Sequence, residues 1–187
     1  MNATASLKNQ LLIAMPNLQD PNFSRTVTYI CEHGEHGAMG IVLNRPTDLR
    51  LADVLRHMDI AEDLGTAGEQ IVYLGGPVEE ERGFVLHTDG AAWDSTLPVE
   101  DDISITTSRD ILEAMARGEG PKRTLVALGY AGWGAGQLEQ ELQQNAWLSG
   151  PTDKSILFDL PADQRWEAAA RLLGVDVNLL SSEAGHA

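Results

Sequence analysis

Thr124-Leu125-Val126-Ala127-Leu128-Gly129-Tyr130 is the most apolar run in the chain, and its reading decides the fold. Unbroken apolar character predicts a central strand covered on both faces. Gly132, Gly134 and Gly136 follow it and lead into a helix with Leu138, Leu142 and Ala146 on one stripe. Lys122-Arg123 precedes it, after Gly118, Gly120 and Pro121 end a helix that starts at Ser108 and carries Ile111, Leu112 and Met115 on one side.

Farther out, Leu11–Met15 reads as a short buried strand stopped by Pro16, and Asp20-Pro21-Asn22 as a turn. Thr26–Cys31 alternates, with Val27, Tyr29 and Cys31 on one face, so it predicts a strand. The loop His33-Gly34-Glu35-His36-Gly37 joins it to a strand over Met39–Leu43, as in a hairpin. A helix capped by Thr47 or Asp48 is predicted next, since Leu51, Val54, Leu55 and Met58 fall at i, i+3, i+4 and i+7. Ile71–Leu74, Gly83–His87 and Ile103–Thr106 predict strands, and Gly90–Asp102 an irregular acidic segment. A short strand is predicted over Ile156–Phe158, and Pro161 opens a last helix with Trp166, Ala169, Ala170 and Leu173 facing inward. The tail after Asp176 is expected to be loosely held. Strands come first and then mix with helices without a βαβ rhythm, which predicts an α+β fold of one domain.

The 187 residues fit that single domain, and 43% hydrophobic content supplies a core without disulfide or metal staples. Thirteen Lys and Arg against 28 Asp and Glu leave a formal charge of −15. Such a surface repels phosphate backbones and anionic membranes, so neither direct nucleic-acid binding nor membrane binding is expected. Cys31 is the single cysteine, and no signal peptide or long apolar stretch opens the chain. The expected compartment is the cytoplasm.

Few residues carry a chemical signal. Cys31, His33, Glu35 and His36 form the densest group of potential metal ligands, but they share one short loop, whereas a metal site draws on a second element. Cys31 as a nucleophile needs a base, and His33 at i+2 on a strand would share its face. Gly132-Trp133-Gly134-Ala135-Gly136 has neither the dinucleotide nor the P-loop spacing, and Glu139 and Glu141 would repel a phosphate at the helix start. No metal or cofactor is expected. Gly75-Gly76-Pro77 is a backbone device that would let a ligand approach the main chain. Arg45, in Asn44-Arg45-Pro46, is one of few cations and sits just past a buried strand, where it could meet an anion or a carboxylate.

Taken in order, Leu12-Ile-Ala-Met-Pro16, Asp20-Pro-Asn-Phe23, Thr26-Val-Thr-Tyr29, Gly40-Ile-Val-Leu-Asn-Arg-Pro46 and Gly75-Gly-Pro-Val78 form a recognisable series. Gly83-Phe-Val-Leu-His87, Gly129-Tyr-Ala-Gly-Trp133, Gly136-Gln-Leu-Glu139 and Asn145-Ala-Trp147 continue it. Together these resemble the AlgH/YqgE family of small bacterial proteins, from about Leu11 to Gly174. The resemblance implies a single α+β domain whose mixed sheet curls into a small closed barrel flanked by helices. It implies an indirect, alginate-type role in transcriptional regulation, and it brings no agreed catalytic residues. Cys31 is not part of the family pattern.

The expected function is therefore a cytoplasmic module that binds a small molecule or a protein. Its expected ligand residues are Asn17, Asn44, Arg45, Trp133 and Gln137, with Gly75 and Gly76 at the cleft wall. The rival expectation is a hydrolase acting on a small or nucleotide-like substrate through His33, Arg45 or Cys31. Oligomeric state is not legible in the sequence, and a monomer is compatible with it.

Overall fold

The structure, a computed structural model, describes residues 6–15, 25–60, 68–89, 93–100 and 102–174. Its strands are β1 (Leu11–Ala14), β2 (Val27–Gly34), β3 (Gly37–Val42), β4 (Pro46–Arg50), β5 (Ile71–Leu74), β6 (Val78–His87), β7 (Thr96–Glu100), β8 (Ile103–Thr106), β9 (Thr124–Gly134) and β10 (Trp147–Gly150). The helices are α1 (Leu51–His57), α2 (Arg109–Ala116), α3 (Gln137–Gln143) and α4 (Ala162–Leu172), with a π-helical turn over Ser155–Asp159.

The apolar run is the central strand, as its composition requires. The sheet runs β10-β1-β2-β3-β9-β6-β8-β7, with β5 also on β9 and β4 on β5. The first half of β9 pairs with β6 antiparallel and with β5 parallel, and its last four residues pair with β3. One long strand thus joins two halves of a sheet that curls into a half-barrel with helices on its flanks. The curl stops short of closure: β10 and β7 each have one strand neighbour among the described residues.

Alternation along β9 decides what each half faces. Leu125 and Ala127 point into the half-barrel with Leu11, Tyr29, Ile41 and Ile105, a core capped by Ile156, Leu157, Trp166 and Ala170. Val126 and Leu128 point outward, to Leu51 and Leu55 of α1 and to Ile111 and Leu112 of α2. Then the parity changes. Tyr130 packs inward, whereas Ala131 and Trp133 face Leu138 of α3 and Trp147 of β10. The change falls at Gly129, whose φ of +77° is left-handed, and a Cβ there would lie 2.5 Å from the Gly76 carbonyl oxygen. Glycine alone fits both requirements.

The structure departs from the sequence reading where periodicity was weak. β4 is largely exposed, and β7 and β10 are only five and four residues long, too short for a firm alternation. β9 runs on to Gly134, so Gly132 and Gly134 lie in the strand, opposite Met39 and Gly37 of β3. Residues 155–159 are helical: the Leu160 N–H reaches back to the Ser155 carbonyl, and three apolar residues are too few to distinguish strand from helix. α1 starts later than expected. Thr47 lies in β4, donating to the Val72 carbonyl at 2.7 Å, and the Asp53 carboxylate accepts the Arg50 N–H at 2.8 Å at the helix entry.

Candidate functional site

The concave side of the half-barrel holds a groove of about 770 Å³ between β3 and β9 on one side and β6, β7 and β8 on the other. Its apolar floor includes Met39, Leu97 and Ile105, and its aromatic wall is Phe84 and Tyr130, with Trp133 at the border and its ring turned towards α3. Phe84 and Tyr130 meet edge to face with ring centroids 5.7 Å apart. The Arg82 guanidinium lies over the Phe84 ring, 5.6 Å from its centroid. Arg82 also reaches Glu79 at 3.7 Å and the Thr107 hydroxyl at 3.5 Å, with its side chain half exposed. Glu32, Glu79 and Asp94 complete the charged lining. A second groove, about 660 Å³ and more apolar, lies outside the half-barrel between α1 and α2, over Val126 and Leu128.

Of the expected ligand residues that the structure describes, Trp133 borders the concave groove, and Asn44, Arg45, Gly75, Gly76 and Gln137 do not line it. Asn17 lies outside the described residues. Asn44 braces the entry to β2: its side-chain oxygen accepts the Val27 N–H and its amide donates to the Arg25 carbonyl, both at 3.0 Å. Arg45 is half-buried, and its carbonyl accepts the Leu74 N–H at 2.7 Å. Gly75 and Gly76 make room for protein backbone: a Cβ on Gly75 would lie 2.4 Å from the Gly129 oxygen, and one on Gly76 would lie 2.0 Å from the Tyr130 carbonyl carbon.

Trp133 and Gln137 converge on one carboxylate. Glu141 accepts the Trp133 and Trp147 indole N–H groups at 3.0 and 2.9 Å on one oxygen, and the Gln137 amide at 2.9 Å on the other. The Gln137 oxygen in turn accepts the Gly134 N–H at 2.9 Å. The polar residues of the Gly129–Glu141 stretch therefore clamp α3 to the sheet. Nothing in the spacing alone distinguishes such a clamp from a ligand site.

Cys31 and His33 do not share a face. A bulge between Ile30 and Glu32 breaks the alternation of β2, leaving Cys31 in the barrel core and pairing His33 with Ala38 on the α3 side. Burial pushes the Cys31 thiol well above its ordinary range, so thiolate is scarce. His33 is committed at both nitrogens. Nδ1 accepts the Leu7 N–H at 2.8 Å, which leaves Nε2–H to donate to Glu139 at 2.9 Å. A backbone hydrogen bond and this contact hold the Glu139 carboxyl below its usual range. His36 is exposed in the hairpin turn, and no three His, Cys, Asp or Glu side chains among the described residues gather closely enough to hold a metal ion.

Sequence reasoning missed two buried polar groups. His87 donates from Nδ1 to the Thr88 carbonyl at 3.0 Å and accepts the Thr106 hydroxyl at Nε2 at 2.7 Å. Thr106 is also 2.9 Å from the Thr96 hydroxyl, and desolvation lowers the His87 pKa. Arg165 donates to the Leu43 and Leu160 carbonyls at 2.6 and 2.9 Å and stacks over Tyr73, tying α4 to the sheet. The groove residues Arg82 and Phe84 were detectable only as an i, i+2 pair on one strand face.

The fold and groove define a class: an α+β half-barrel flanked by helices, with an open aromatic groove on its concave side. The family model described as AlgH-like, DUF179, matches residues 11–178, and the chain belongs to that family. It is 64% identical to a UPF0301 protein of Thioalkalivibrio sulfidiphilus over 187 residues and 55% identical to one of Nitrosococcus oceani over the same length, covering 100% of both chains in each case. The solution structure of the AlgH protein from Pseudomonas aeruginosa superposes with a TM-score of 0.81 at 50% identity, covering 100% of this chain and 99% of that one. A Corynebacterium diphtheriae crystal structure, 21% identical over 91% of this chain and 89% of its own, shares the fold with a TM-score of 0.72. The names of these relatives carry no reaction, ligand or partner.

Proposed function

We propose that the protein is a cytoplasmic binding module that acts through its concave groove, without chemistry and without touching nucleic acid or membrane. The observation that carries this reading is the groove itself: about 770 Å³, open, and walled by Phe84 and Tyr130 beside an apolar floor. Concave sites with aromatic walls and a few polar groups are where proteins hold ligands. The hydrolase reading loses two of its three groups, because Cys31 is buried with its thiol pK raised and His33 is bonded at both ring nitrogens. The charge of −15 argues for regulation at one remove from DNA. Among the described residues, no helix is long and apolar enough to cross a membrane.

Native mass spectrometry of protein gently purified from the cells that make it tests this proposal. The expected result is a reproducible extra mass, small or protein-sized, that disappears in Val78→Trp, since Val78 lines the groove and is 36% exposed. An extra mass retained in a folded Val78→Trp variant would place the ligand elsewhere and overturn the groove reading.

A further inference from the structure

The groove has a chemical bias. Its lining carries three carboxylates, Glu32, Glu79 and Asp94, against one guanidinium, that of Arg82. That guanidinium already has an acid partner, Glu79 at 3.7 Å, so the remaining negative field faces an incoming ligand. The aromatic wall adds to the bias, because ring faces attract cations and guanidinium stacks on them best when partly desolvated.

Arg82 shows what the wall accepts. Its guanidinium rests over Phe84 at 5.6 Å from the ring centroid, while its side chain stays 52% exposed. The two polar contacts that hold it, at 3.7 and 3.5 Å, are long. A loosely held internal cation thus covers an aromatic face in a groove of net negative charge.

We infer that the groove binds an arginine-bearing segment of a partner protein, whose guanidinium takes the place of Arg82 over Phe84. This rests on the binding reading above and names its occupant. A protein segment fits better than a free cation, because one guanidinium would fill a small part of about 770 Å³. Met39, Leu97 and Ile105 offer an apolar floor for the neighbouring side chains of an extended chain, whose alternate residues point the same way. On this account Arg82 is a competitor for the site. Removing it improves binding, the opposite of what removal of an anion-binding arginine would do.

The test is a titration of ¹⁵N-labelled protein with a blocked Leu-Arg-Leu-Arg-Leu peptide, followed by amide shifts. The comparisons are the same peptide with citrulline in place of arginine, and free arginine amide. The arginine peptide is expected to shift Met39, Phe84 and Tyr130. The citrulline peptide is expected to bind about tenfold more weakly or worse, and Arg82→Ala to tighten the arginine peptide about threefold or more. Equal binding of the citrulline peptide, weaker binding to Arg82→Ala, or shifts confined to the α1–α2 groove would each overturn the inference. Free arginine amide binding as tightly as the peptide would overturn the protein partner in favour of a small cation. If no arginine ligand binds while an extra mass sensitive to Val78→Trp persists, the occupant is wrong and the groove reading stands.

Discussion

Glu141→Ala removes the shared acceptor of two indole N–H groups and of the Gln137 amide in one step. Trp133 and Trp147 are 6% and 2% exposed, and their rings meet edge to face at 5.9 Å, so neither indole is readily rehydrated without disturbing the other. A hydrogen bond to a charged acceptor contributes about 1.5–3 kcal/mol. Glu141 is half-buried, which screens it, so the two indole bonds together are worth about 2–4 kcal/mol, with little added by exposed Gln137. For a chain of this size that corresponds to a loss in Tm of roughly 5–15 °C. Thermal unfolding followed by far-UV circular dichroism measures it, and the near-UV tryptophan band reports whether the ring pair loses its fixed geometry. Glu141→Gln keeps one acceptor oxygen and should lose less than half as much. Gln140→Ala, on the exposed side of the same helix, should change Tm little. A loss below about 2 °C for Glu141→Ala, with the near-UV band intact, would refute the clamp and return Trp133 and Gln137 to the list of ligand residues.

His87 makes stability pH-dependent. Burial lowers its pKa in the folded state, so below about pH 6.5 the unfolded chain binds more protons, and stability present above that pH is lost as the pH falls through it. Tm should therefore drop between pH 7.5 and 5, and His87→Gln should flatten that slope; an unchanged slope would exclude His87 as its source. The Cys31 thiol should resist aromatic disulfide reagents in the native protein and react fully once guanidinium unfolds it, and fast native labelling would contradict its burial. Gly129→Ala meets a left-handed φ and a backbone oxygen 2.5 Å from the new Cβ, so it should cost about 3 kcal/mol or more and yield little folded protein. Soluble Gly129→Ala with native Tm would show that β9 needs no glycine at its change of face.

The failures of sequence reading share a cause. Periodicity reports burial on one face, so it found β2 and α2, whose apolar residues repeat, while unbroken apolar character found β9; neither signal marked the exposed β4 or the five-residue β7. It also assumes that alternation is unbroken. The bulge after Ile30 and the turn of face at Gly129 each change parity, separating Cys31 from His33 and turning Tyr130 into the concave groove. Polar residues in an ordered motif suggest a ligand when read in line, yet Asn44, Gln137 and His33 serve the protein's own backbone and side chains.

Composition and pattern alone determined that this chain is one acidic α+β domain built on Thr124–Tyr130, because charge and hydrophobic patterning are properties of the chain itself. The curl of the sheet, the clamp at Glu141 and the groove around Arg82, Phe84 and Tyr130 were decided only in three dimensions. Each depends on residues far apart in the chain meeting across strands, and where they meet is set by the bulges and glycines that switch a strand from one face to the other.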